Sequence, residues 1–174
     1  DMPTFYTPRK EDPQKQMKSV DHSKFEVLQQ DFASAHELTA ACLSCHTERG
    51  KEVMKTAHWN WEREAFTKER GITYHGKKDL INNFCTGIGG SWGTCTRCHI
   101  GYGYENPDFD FKNEFNIDCL VCHDNSGTYR KGSGMAGYPH PSVDLSIAAQ
   151  SMGAPQKENC GVCHFYSAGG NNVK

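Results

Sequence analysis

The chain has 174 residues, a formal charge of −2, a hydrophobic fraction of 36% and a mean hydropathy of −0.72. That length suits a single domain, and the charge balance excludes the clustered basic surface of a nucleic-acid binder. No apolar run approaches the ~20 residues that cross a bilayer, and so low an apolar content implies that something besides aliphatic side chains fills the interior.

In chain order, residues 1–20 mix charges with three prolines and show no apolar period, which predicts an extended arm. From Ser23 to Leu43, Phe25, Leu28, Phe32, Leu38 and Ala41 recur at roughly helical intervals, predicting one or two short helices. Residues 48–70 lack proline and are rich in helix formers, so a helix is expected there, with His58 near its middle and Gly71 as its stop. From Gly71 to Asp118, and again from Ser126 to Pro141, glycine, asparagine, aspartate and aromatic residues dominate, as in loops with aromatic anchors. Residues 142–152 suit one more short helix. Loops this long fit a compact domain if the chain wraps large rigid groups.

Eight of the nine cysteines form four pairs, each followed at once by histidine: Cys42/Cys45/His46, Cys95/Cys98/His99, Cys119/Cys122/His123 and Cys160/Cys163/His164. C-x-x-C-H is the attachment signature of c-type haem: two thiols bond the porphyrin and the imidazole ligates the iron. Structural zinc also uses C-x-x-C but demands no histidine directly after it. With nine histidines in the chain, chance placement at all four positions has odds on the order of one in 10⁵. A thioredoxin-like dithiol fails on four copies without a βαβ pattern. The expectation is four covalent haems c, roughly 44 residues to each, too few for four separate pockets. Porphyrins should then contact one another and form much of the core. The second and third motifs are nearest in sequence, which predicts a stacked second–third pair.

The sixth ligand decides what each iron does, since a second strong ligand leaves only electron exchange. His22, His36, His58, His75 and His140 lie outside the motifs and suffice to close four irons with one left over. His58, beside Trp59 and Trp61, is the strongest candidate, followed by His22 and His140, then His75 and His36. Methionines 2, 17, 54, 135 and 152 read better as packing residues. Trp92, Tyr102, Tyr104, Phe109 and Phe111 are expected against porphyrin faces. Cys85 is a small buried hydrophobe, a thiol beside a haem that touches a sulfur substrate, or a partner in an intermolecular disulfide.

Several stretches around these motifs resemble the octahaem tetrathionate reductase family: TAACLSCHTERGKEVMKTAHWNWE at 39–62, INNFC at 81–85, CTRCHIGYGY at 95–104, IDCLVCHDNSGTYRK at 117–131 and CGVCHF at 160–165. The resemblance spans roughly residues 20–170. It implies a loop-rich helical wrapping of packed haems outside the cytoplasm, most irons bis-His and one catalytic haem with lysine in place of the distal histidine. Lys77, Lys78 and Lys131 are the lysines to consider here, and no catalytic residue is transferred. The fourth motif ends close to Lys174, so the chain looks like a tetrahaem amino-terminal half, similar also to tetrahaem extracellular cytochromes that polymerise into filaments.

The expected fold is therefore mainly α with long loops, a haem-packed core and little or no β-sheet, forming one domain over residues 21–174 behind the arm. The expected function is single-electron transfer through mostly bis-His haems, as a subunit of an extracellular conducting filament. The alternative is a reductase of tetrathionate or small nitrogen oxyanions at one Lys-ligated haem. Partners would be other redox proteins, extracellular acceptors or further copies of the chain, with no nucleic acid and no transmembrane segment. Haem c is attached after export, which puts the chain in the periplasm or outside the cell. No signal-peptide core precedes Asp1, as in a processed product.

Overall fold

The computed structural model describes residues 20–79 and 90–165. Its elements are α1 (Ala35–Cys45), α2 (Arg49–Val53), α3 (Ala57–Asn60), β1 (Arg63–Thr67), β2 (Gly71–His75), α4 (Trp92–Cys95), α5 (Leu120–His123), α6 (Leu145–Gln150) and α7 (Lys157–His164), with short 3-10 turns between them. The chain is thus mostly helical and loop, with one small sheet among the described residues. The arm before Val20 and Cys85 fall outside the described residues.

α1 begins where Ser34 Oγ accepts the Glu37 N–H at 3.2 Å, while the Glu37 carboxylate accepts the Ala33 N–H at 2.9 Å. These bonds occupy donors that a helix start leaves unpaired. Its buried face, Ala35, Leu38, Ala41 and Cys42, packs with Leu28, Ala148, Ala149 and Met152. α6 is capped by Asp144, whose carboxylate accepts the Ser146 and Ile147 N–H groups at 2.9 Å. The Gln150 amide pins α6 by donating to Leu28 O at 3.1 Å. A second part of the core, Trp59, Ile117, Leu120 and Val121, lies between α3 and α5.

The helix expected over 48–70 does not form. It is replaced by α2 and α3, a left-handed break at Trp61 with φ of 57°, and the first strand of an antiparallel hairpin. The hairpin pairs Arg63 with His75, Phe66 with Ile72, and Thr67 with Gly71. Gly71 has φ of +69°, the conformation that closes a three-residue hairpin loop. The same left-handed glycine ends a helix, so Gly71 was compatible with both readings. Propensity summed over Glu, Lys and Arg is a weak prior, and here the alternating Ala65, Phe66, Thr67 and Ile72, Thr73, Tyr74 outweighed it.

Candidate functional site

Each Cys-Cys-His set sits at a helix end, where the backbone turns and frees the histidine. Cys42 and Cys45 lie in the last turn of α1, with His46 just beyond it. Cys95 ends α4 and Cys98 ends the following 3-10 turn, and His99 follows in extended backbone. Cys119 is the N-cap of α5, which carries Cys122 and His123, and Cys160, Cys163 and His164 lie on α7. None of the eight cysteines is in a disulfide. Among the described residues no group of three or more His, Cys, Asp or Glu gathers as around a bare metal ion.

Two of the histidines outside the motifs face a motif histidine. The His22 and His46 ring centroids are 6.3 Å apart at 29°, and those of His58 and His164 are 6.2 Å apart at 85°. A metal bound axially by two imidazoles at about 2 Å each holds ring centroids roughly 6 Å apart. His22 and His46 also line a cavity of about 460 Å³ with Cys42, Cys45, Phe25, Leu28 and Met152. Buried His22 Nδ1 has no hydrogen-bond partner, and burial, then His46, holds the His22 pKa below its ordinary value. An apolar cleft with two thiols at its edge and opposed imidazoles across it fits a porphyrin with axial iron.

The third motif is oriented differently. His123 Nδ1 lies 2.8 Å from the Gly153 carbonyl, a bond that fixes the ring and leaves Nε2 for a metal. The other candidate ligands are engaged locally. His36 Nε2 is 3.1 Å from Asn116 Oδ1, with its ring edge-on to Tyr102 and Tyr138. His75 Nε2 is 2.8 Å from Thr73 Oγ1 on β2. His140 Nδ1 is 2.8 Å from Ser142 Oγ. His140 also lines a second cavity of about 550 Å³, with Phe32, Met135 and Tyr138, that contains no motif cysteine.

His99 is fully buried in an aromatic cage of Trp59, Trp61, Tyr104, Phe109 and Phe111, with ring centroids 5.1–5.8 Å away. Its Nε2–H donates to Trp59 O at 2.6 Å, Nδ1 has no partner, and burial pulls the pKa down to about 4. Of the expected aromatic anchors, Tyr104, Phe109 and Phe111 stand in this cage and Trp92 packs on Tyr104 at 5.1 Å. Tyr102 instead stacks on Tyr138. All three lysines singled out from the sequence surround this motif. Lys77 Nζ is 5.3 Å from the Trp61 ring centroid, Lys78 Nζ is 5.0 Å from that of Phe111, and Lys131 Nζ donates to His99 O.

The buried ion pair beside this site was not anticipated from the sequence. Lys131 Nζ is 3.1 Å from Asp118 Oδ2, and the two side chains are 1% and 0% exposed. The Tyr129 hydroxyl donates to Asp118 Oδ2 at 2.7 Å and that of Tyr102 to Oδ1 at 3.2 Å. Burial, then the Asp118 charge, pushes both phenols well above their ordinary pKa. The available signal was a lone carboxylate inside the apolar run Ile117-Asp118-Cys119-Leu120-Val121, a position that demands partners.

The third and fourth motifs meet where α5 packs on α7. The neighbouring Cys163 thiol draws the Cys98 thiol down to about 6. The second and third motifs are joined through the backbone, where Gly101 bridges Ile117 and Asp118 N–H donates to Ile100 O at 2.9 Å.

No family model matches the chain. It is similar to the crystal structure of octaheme cytochrome c from Shewanella oneidensis, at 45% identity and a TM-score of 0.80, over 86% of this chain and 34% of that one. It is also 23% identical over 210 residues to an uncharacterized protein of Archaeoglobus fulgidus, covering 91% of this chain and 69% of the relative. The chain thus spans about a third of the octaheme protein's length. The likeness supports a multihaem cytochrome c with c-type haem and an electron-transfer or redox role, and no helix among the described residues is long and apolar enough to cross a membrane.

Proposed function

We propose that the four Cys-Cys-His sets hold four covalent haems c and that the chain is an electron carrier outside the cytoplasm. Haem c supplies one-electron exchange between ferric and ferrous iron. The observation that carries this reading is the pair of facing histidines, His22 with His46 and His58 with His164, each at a separation suited to one iron between two imidazoles. In this reading the eight motif thiols fix the porphyrin edges, and His46, His99, His123 and His164 ligate from the proximal side. His22 and His58 close the first and fourth sites against substrate. His36, His75 and His140 supply the ligand pool for the rest. Denaturing haem-content analysis should return four haems per chain, and ferric spectra of the native protein should be low-spin throughout. A stable high-spin quarter of the signal overturns complete closure.

At larger scale we read the chain as a repeating unit of an extracellular conducting filament, on its resemblance to tetrahaem filament cytochromes. Electron microscopy of concentrated protein tests this; monomers alone overturn it.

The three lysines around the second motif favour a second reading, a reductase of tetrathionate or small nitrogen oxyanions at a Lys-ligated haem. Among the described residues no histidine from outside the motifs stacks on His99, whereas Lys131 reaches its carbonyl. Against it, Lys131 is already committed to Asp118. Rapid reoxidation of the reduced protein by tetrathionate, nitrite or hydroxylamine supports the reductase, and no reoxidation removes it.

A further inference from the structure

We infer that the β1–β2 hairpin is a self-association surface, on which two copies of the chain join by antiparallel pairing of β1 with β1 of the second copy about a two-fold axis at Phe66. This does not depend on the haem reading. Among the described residues the sheet has two strands, which pack chiefly on each other. The hairpin is tied to the body at its base, where Lys78 N–H donates to Trp61 O at 3.3 Å. Its register sets Phe66 across from Ile72 and Glu64 across from Tyr74, so these four side chains share one face. Phe66, Ile72 and Tyr74 are 74%, 60% and 61% exposed. Large apolar side chains beside an unpaired strand edge make a template for a further strand. A lone two-stranded hairpin is marginally stable in water, and added strands consolidate it.

The charges identify the occupant as a second copy. In a two-fold antiparallel pairing the strand meets its own sequence reversed, so it suits itself only where its charges change sign about the centre. Residues 63–69 read Arg-Glu-Ala-Phe-Thr-Lys-Glu. With Phe66 at the centre, Phe66 meets Phe66, Ala65 meets Thr67, Glu64 meets Lys68 and Arg63 meets Glu69 of the second copy. Both charge pairs are opposite in sign, and symmetry makes each of them twice. Lys68 and Glu69 directly follow β1, all four charged residues are exposed, and among the described residues none of the four is in an ion pair within the chain. Other centres fail: at Ala65 the Glu64 carboxylate faces Phe66, and at Thr67 the Lys68 ammonium does. β2, which reads Gly-Ile-Thr-Tyr-His, carries no matching pair of opposite charges. Trp61, two residues before β1, packs edge-on to the His99 ring at 5.5 Å, so the joined sheet links the second motif of one copy to that of the other. Strand pairing with one aromatic contact buries less than the roughly 800 Å² per partner of a standard interface, which makes the dimer weak and concentration-dependent. Its charge pairs set register more than strength. A two-fold contact closes on itself, so it yields pairs and is separate from any contact that builds a filament.

Sedimentation velocity of the haem-loaded chain over a concentration series tests this, and a reversible monomer–dimer equilibrium is expected. Glu64→Lys and Lys68→Glu each set like charges against one another twice, and each should raise the dissociation constant about tenfold, with unchanged haem spectra showing that the variants are folded. Mixed in equal amounts, the two variants should associate again as a heterodimer, because each supplies the charge that the other lacks. A chain that stays monomeric at the highest concentration, a dimer indifferent to either substitution, or a mixture no more associated than the single variants overturns the inference. Each of those results leaves the haem count, and with it the carrier reading, standing.

Discussion

At the scale of single residues, the decisive groups are those whose burial leaves them one permitted partner. His22 is half-buried with an orphaned Nδ1 and faces only one other imidazole ring, that of His46, at stacking distance among the described residues. His22→Ala should therefore convert about one haem in four from low-spin to high-spin ferric, read by electron paramagnetic resonance, while the other three keep their signals. His58→Ala should do the same at the fourth motif, which faces it at 6.2 Å. The Asp118–Lys131 pair calls for a different prediction, because its partners are removed from water on both sides. Lys131→Met leaves a buried carboxylate with only two phenol donors and the Val121 N–H at 3.1 Å. Breaking one side of such a pair costs about 3–5 kcal/mol, to be read as a lowered denaturation midpoint in guanidinium. If Lys131 were instead an iron ligand, the same substitution would change the haem spectrum as well.

At the scale of elements, the sequence was most informative where chemistry fixes spacing and least where only propensity speaks. The short helix expected within 142–152 is α6, and the multihaem cytochrome character was legible in the repeated C-x-x-C-H spacing, which covalent attachment fixes. The 48–70 stretch was not, because Gly71 serves equally as a helix stop and as the left-handed residue that follows a hairpin loop. The meeting of the third and fourth motifs was hidden for another reason: they are far apart in sequence and come together only where α5 packs on α7. The hairpin itself yields a clean test. A methyl group at Gly71 would meet no atom within 4 Å, so Gly71→Ala probes backbone conformation alone. The left-handed conformation costs an L-residue about 1 kcal/mol. Amide exchange at Ala65 and Thr73 should then speed up about fivefold with the haem spectra unchanged, since local opening, not global unfolding, reports on a peripheral hairpin.

At the scale of the molecule, charge governs which partners approach. The polypeptide carries a formal −2, and four haems would add about eight propionate charges, making the holoprotein strongly acidic before iron charge is counted. Among the described residues, Lys24 pairs with Asp21 at 3.4 Å and Lys51 with Glu48 at 3.0 Å. Nothing on this scale neutralises the propionates in bulk, so long-range steering should favour basic partners. Electron exchange with a cationic redox protein should fall about tenfold as ionic strength rises from low to physiological values and beyond, because the Debye length shrinks to about 8–10 Å near 0.1–0.15 M. Exchange with an anionic partner should accelerate over the same range. Stopped-flow mixing with one small cytochrome of each sign measures both slopes, and a common slope for the two would show that local patches, rather than the summed field, select the partner.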